Sequence, residues 1–205
     1  MHVVKEELAA MDAQSLRCAA ELADARVDVM GYACLVAIMA MGPGYHRESQ
    51  TKLAQVARAE GAHAAVISSA GALIATLQEL GLGKVAILAP YMKPLTQTVV
   101  DYIEAEGIEV CAAHALEISD NLAVGRRPPE LALNAAAEID LTGAQALVLS
   151  ACVQMPAAAA IEAAEQKFGL PVVTASSCTV RQMLKALNVV PIVSGFGAAL
   201  SSQNA

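Results

Sequence analysis

No tryptophan occurs among the 205 residues, and aromatic side chains make up only 3%. That leaves few rings to interleave with bases. Thirteen Lys and Arg face 20 Asp and Glu for a net charge of −7, and the basic residues form no run longer than Arg126-Arg127. The electrostatic footprint of a nucleic-acid partner is therefore missing. The five cysteines are odd in number and never fall in Cys-x-x-Cys spacing, which argues against a disulfide framework and against a zinc site. No apolar run reaches the roughly 18 uninterrupted residues that span a bilayer. Lys5, Glu6, Glu7 and Asp12 interrupt the region where the apolar core of a signal peptide would lie. The expected setting is the cytoplasm, with no membrane partner.

What is abundant is small and apolar. Hydrophobic residues reach 56% and mean hydropathy is +0.50, largely from alanine and valine, so a chain of this length has ample material for a buried core. Two apolar runs stand out. Val29 to Met39 reads Val-Met-Gly-Tyr-Ala-Cys-Leu-Val-Ala-Ile-Met and places Cys34 where a buried strand should end. Ala146 to Met155, Ala-Leu-Val-Leu-Ser-Ala-Cys-Val-Gln-Met, places Cys152 in the same way. The helix-like segments that follow also match, Ser69 to Leu80 aligning without a gap on Ser176 to Leu187. The chain thus reads as two related halves, each bringing one cysteine to a shared cleft.

In order, the pattern predicts a surface helix over residues 3–24 and a strand near Val27 to Tyr32. A turn follows at Met41-Gly-Pro-Gly-Tyr-His, then a helix over 47–60, a strand over 64–67 and a helix capped by Ser68 or Ser69. The second half predicts strands at 84–89, 108–112, 146–150 and 172–174. Its helices are expected at 94–106, 129–140, 156–168 and 176–187, with a linker from His114 to Gly125. Alternating strands and helices imply parallel sheets flanked by helices, and continuous apolar strands fit burial on both faces. The expected fold is α/β, with two pseudo-symmetric Rossmann-like halves over 1–83 and 84–205 and the active site in the cleft between them. The C-terminal segment is expected to pack back on the first half. In such sheets ligands collect at the carboxyl ends of strands, where both cysteines fall. Sixty-eight positions separate Lys84 from Cys152, whereas 33 residues precede Cys34. The first half is therefore expected to lack an opening strand, as a degenerate copy or as a chain that starts late.

Gly31-Tyr-Ala-Cys34-Leu-Val-Ala-Ile-Met, Ala89-Pro-Tyr91-Met-Lys-Pro-Leu-Thr, Asp120-Asn121-Leu and Ser150-Ala-Cys152-Val-Gln-Met-Pro together resemble maleate cis-trans isomerase, within the aspartate/glutamate racemase superfamily. The resemblance covers almost the whole chain. It implies Cys34 as nucleophile and Cys152 as partner acid/base. It also implies that Tyr91, Asn121 and the backbone N–H of Val36 hold the substrate carboxylates, with Leu35 and Val153 as further substrate-binding residues. The family's asparagine after an opening strand has no counterpart here. A small dicarboxylate substrate, a homodimer, no cofactor and a setting in aromatic or nicotinate-type catabolism are further implications.

Rotation about a carbon–carbon double bond requires loss of its π character, and addition of a thiolate to an alkene carbon achieves that without redox chemistry. A helix N-terminus is expected to lower the Cys34 thiol from its ordinary pKa of about 8.5. Two cysteines flanking one carbon equally suit an amino-acid or hydantoin-type racemase, and a catalytically silent diacid-binding protein is the remaining alternative. Free cysteine usually packs as a small hydrophobe, and Cys18, Cys111 and Cys178 are read that way. His46, His63 and His114 lack metal spacing and are read as surface or turn residues. Gly42-Pro-Gly44 is either an ordinary turn or the hinge of a lid.

Overall fold

A computed structural model describes residues 5–202 and 204. The first part runs α1 (Lys5–Ala23), β1 (Val29–Tyr32), α2 (Leu35–Met39), α3 (Tyr45–Ala59), β2 (Ala65–Ser68) and α4 (Ser69–Glu79). The second runs β3 (Lys84–Ala89), α5 (Lys93–Ala105), β4 (Glu109–Ala115), α6 (Asn121–Gly125), α7 (Pro129–Ala136), β5 (Ala146–Ser150), α8 (Ile161–Phe168), β6 (Val172–Thr174) and α9 (Ala175–Ala186). Residues 3 and 4 of the helix expected over 3–24 lie outside the described residues.

All strand pairs are parallel. One sheet has the order β4-β3-β5-β6 and the other is β1-β2. Every residue of β5 and all but the first of β3 are buried, because helices cover both faces and leave no solvated side to demand alternation. The strands β5 and β6 are the counterparts of β1 and β2, and the smaller sheet holds no counterparts of β3 and β4 among the described residues.

The duplicated segments seen in the sequence are α4 and α9, and they pack against each other. Their C-caps, Leu80 and Leu187, keep the gapless register. Their N-caps, Ser68 and Thr174, do not, since α9 is one residue longer at its start. Ser68 accepts the Gly71 N–H at 3.2 Å, whereas Thr174 and Ser177 form a reciprocal capping box. A Cβ at Gly71 would lie 2.5 Å from Gln50 Oε1 and 2.9 Å from His46 Cδ2, so only glycine lets α3 and α4 approach this closely. Between the twin helices, Thr179 Oγ1 donates to Ser69 Oγ at 3.1 Å and Gln182 Nε2 to Thr76 Oγ1 at 3.2 Å. Arg181, only 5% exposed, donates to Glu79 at 3.2 Å and to the Ala199 carbonyl at 3.0 Å. The C-terminal segment, with a 3₁₀ turn at Ala198–Leu200, lies chiefly against α9 and β6; α9 also packs on β1 and β2 of the first sheet.

Several local expectations need correction. Leu35 to Met39, which the pattern assigns to no element, is a helix; all five of its residues are buried, so no polar face was available to show helical periodicity. The linker expected from His114 to Gly125 contains the end of β4 and all of α6. Helix α7 stops at Ala136 rather than Asp140. His46 is buried rather than superficial: its backbone N–H and its Nδ1 both meet the Tyr102 hydroxyl, at 3.1 and 2.5 Å. Cys18 is exposed, not core, while Cys178 is buried. The helix α1 is also more than a surface helix, because Leu8 and Ala19 are buried, although Leu16 and Leu22 remain exposed. No described helix is long and apolar enough to cross a membrane.

Candidate active site

Cys34 and Cys152 each stand two residues beyond the last residue of a strand, β1 and β5 respectively. Both strands run parallel to their neighbours, so both thiols emerge at carboxyl ends. They line one cleft of about 210 Å³. The same cleft is lined by Tyr91, Asn121, Leu35, Val36 and Val153; the structure thus brings together all seven site residues singled out in the sequence.

The loop carrying Cys152 is fixed by its carbonyls. Tyr91 Oη donates to Ala151 O at 3.3 Å, Ser150 Oγ to Cys152 O at 2.7 Å and Ser176 Oγ to Val153 O at 3.3 Å. On the other side Ser69 Oγ donates to the Tyr32 carbonyl at 3.2 Å, two residues before Cys34. Ser69 and Ser176 are the paired first residues of the aligned segments, so the duplication uses one hydroxyl on each side to hold a cysteine loop. Asn121 opens α6, whose N-cap Asp120 accepts the Leu122 N–H at 3.1 Å. Gln154 Nε2 donates to the Asn121 carbonyl at 2.8 Å, tying α6 to the Cys152 loop.

Cys34 is the N-cap of α2, with extended backbone at φ −139° and ψ 94°. Burial raises its thiol pKa above the ordinary value; the Ala37 amide opposes that shift, Cys152 adds to it, and the Val36 amide opposes it again. The expected lowering at a helix N-terminus is therefore overturned: α2 is five residues long, and desolvation of the thiolate outweighs two amides. Burial, followed by proximity to Cys152 and Cys34, likewise holds the Tyr91 hydroxyl well above its usual range. Tyr91 is accordingly a neutral donor.

Five further residues line the cleft that the sequence reading did not place there: Glu7, Leu8 and Met11 from α1, with Ala33 and Gln154. Gln154 lies in the Ser150-Ala-Cys152-Val-Gln-Met-Pro segment, two positions past Cys152. The α1 residues gave no signal beyond helical spacing, since nothing local says that the helix reaches over a strand end. Asp12, the residue after Met11 along α1, accepts hydrogen bonds from Tyr32 Oη at 3.1 Å and Tyr45 Oη at 2.6 Å, which docks α1 onto β1 and α3. Gly42 and Gly44 have positive φ, 110° and 74°; they form the turn before α3 and are not among the residues lining the cleft. Among the described residues no three His, Cys, Asp or Glu side chains cluster as a metal site.

Paired thiols at twin strand ends, with neutral donors lining the same cleft, define an α/β protein built for thiol chemistry on a small polar molecule. The sequence profile of the arylmalonate decarboxylase family matches residues 7–200, and the chain belongs to this family. It is 52% identical over 203 residues to a maleate isomerase from Geobacillus stearothermophilus, covering 99% of this chain and 81% of that one. Among solved structures, it is similar to the maleate isomerase Iso from Pseudomonas putida S16, as a cysteine-to-alanine mutant with maleate. That match has a TM-score of 0.96 and 52% identity, and covers 98% of this chain and 80% of that one. It is also similar to a cysteine-to-serine mutant of Nocardia farcinica maleate cis-trans isomerase with a covalently bound succinylcysteine intermediate. The TM-score there is 0.94 at 44% identity, covering 98% and 82% of the two chains.

Proposed function

We propose that this chain is a cofactor-independent isomerase converting maleate to fumarate through a transient thioether at Cys34. The observation that carries the reading is one small cleft holding two cysteines at equivalent strand ends beside the neutral donors Tyr91 and Asn121. The maleate isomerases that it resembles over nearly its whole length support the substrate, and the succinylcysteine in one of them supports the intermediate.

The Cys34 thiolate adds to one alkene carbon: a C–S bond forms, the π bond breaks, and its electron pair moves toward the carboxylate on the far carbon. Tyr91 and Asn121 stabilise that charge, such donors being worth about 3 to 4 kcal/mol each in oxyanion-type sites. Cys152 delivers a proton to the carbanionic carbon, giving a succinyl thioether whose central bond rotates. After rotation the carbon's other hydrogen faces Cys152; its loss as a proton to Cys152 and departure of the Cys34 sulfur restore the double bond as trans, with nothing oxidised or reduced. Because burial holds the Cys34 thiol up, only a small thiolate fraction exists at neutral pH, and the amides of Ala37 and Val36 help to stabilise it.

Intact-mass analysis after incubation of Cys152→Ser with maleate tests the intermediate. An added mass of one maleate, located on Cys34, is expected; adduct on Cys152 in the reciprocal Cys34→Ser variant alone would reverse the roles. A two-cysteine racemase would instead introduce solvent deuterium at Cα of an amino acid such as aspartate. A homodimer in the cytoplasm, working in aromatic or nicotinate-type catabolism, completes the proposal. Exposed Val189, Val190, Ile192 and Phe196 supply apolar surface for association, which sedimentation velocity would detect as a doubled mass.

A further inference from the structure

The cleft is built for a diacid in every respect but charge. Among its described lining residues there is no Lys, Arg or His, and the one charged side chain is a carboxylate, Glu7 of α1. Its Oε2 is buried and has no hydrogen-bond partner among the described residues. A buried acceptor left without a donor is costly, and a second and third carboxylate placed beside it would compound the repulsion. Neutral donors such as Tyr91 and Asn121 bind charge but do not cancel it. Two carboxyl groups brought together in a confined space whose described lining holds no cation resolve this by holding one proton between them.

We propose that Glu7 selects the protonation state of the ligand: its carboxylate and one carboxyl group of the bound diacid share a single proton, so that the cleft takes the diacid as its monoanion. This rests on the diacid reading of the site given above. The shared proton supplies Glu7 Oε2 with its missing donor. It also lowers the charge that builds up when the Cys34 sulfur adds, because the electron pair displaced from the alkene moves into a group no longer fully ionised. The proton enters with maleate and leaves with fumarate, so none is consumed. The other titratable groups facing the cleft are Cys34 at the start of α2, Tyr91 beyond β3 and Cys152 beyond β5. On α1 itself, Asp12 is engaged by Tyr32 and Tyr45.

The test uses Glu7→Gln, with Glu7→Asp as the variant that keeps the carboxylate. Succinate, which has no alkene to react, is titrated calorimetrically in two buffers of different ionisation heat at a pH where it is free as the dianion. The parent and Glu7→Asp are expected to take up about one proton per succinate, and Glu7→Gln none. With maleate, the parent's kcat/KM is expected to stay level between the second ionisation of maleate and that of the Cys34 thiol, since thiolate gained cancels monoanion lost. Glu7→Gln, able to accept the dianion, is expected to climb about tenfold per pH unit over that range. A parent that isomerises maleate yet takes up no proton, or a Glu7→Gln profile parallel to the parent's, overturns the proposal alone. Uptake of one proton without turnover keeps the proton-sharing site and removes the isomerase reading. Absence of both binding and turnover overturns both.

Discussion

Cys34 and Cys152 look alike in the chain, yet their surroundings divide the work. Cys34 caps a helix whose first amides face its sulfur, whereas the Cys152 loop is clamped through its carbonyls by Ser150, Tyr91 and Ser176. Burial leaves the Cys34 thiol with a raised pKa, so its nucleophilicity in the empty cleft should increase with pH until beyond the ordinary thiol range of about 8.5. Alkylation by iodoacetamide, followed at Cys34 by peptide mass mapping, is expected to accelerate throughout the approach to that range. The exposed Cys18 should react first. A Cys34 midpoint well below 8 would mean that the amides of α2 outweigh burial after all.

At the scale of elements, short helices decide the site and were the least legible in the sequence. The strands β3, β5 and β6 were readable to the residue because each is a brief run, apolar apart from Lys84 at the start of β3, closed by a small or polar residue. The helix α2 was not: Leu35 to Met39 is equally apolar, and a run that lies buried all round carries neither a period of two nor one of 3.6. The five-residue α6 shows only its cap, Asp120, which reads equally as a turn. The buried pairing of His46 on α3 with Tyr102 on α5 was hidden too, since the partners are far apart in sequence. Burial, with Arg47 adding to it, lowers the His46 pKa below its usual 6.5. The folded state therefore favours the neutral ring. The stabilisation from His46 is complete above pH 6.5 and is lost as pH falls below that value. Thermal unfolding should show a decline in Tm as pH falls below about 6.5 that His46→Gln blunts; an unchanged decline would place the acid sensitivity elsewhere.

At the scale of the whole molecule, the duplication is what positions the chemistry. The twin cysteines and the gapless match of the α4 and α9 segments made one cleft at equivalent strand ends legible from the chain alone. The role of α1 as a wall of that cleft was not, because Glu7, Leu8 and Met11 show only the spacing of any amphipathic helix. The chain spans about four fifths of the length of the maleate isomerases that it matches. The α4–α9 seam closes around Glu79. Burial pushes its carboxyl up, but hydrogen bonds from Lys185, Gln182 and Arg181 together hold it below the usual range. Arg181 is buried and Lys185 partly exposed. Arg181→Ala is expected to cost about 2 kcal/mol and Lys185→Ala less than about 1 kcal/mol, measured by urea unfolding. Equal costs would mean that the seam is held by apolar packing rather than by the buried guanidinium.

The function proposed for this chain requires thiol-dependent isomerisation in this cleft. The most direct measurement is proton NMR of reduced protein incubated with maleate, with Cys34→Ala alongside. The expected result is fumarate from the parent and essentially none from a folded Cys34→Ala variant. Undiminished fumarate from that variant, or none from a folded parent that still binds succinate, would contradict it.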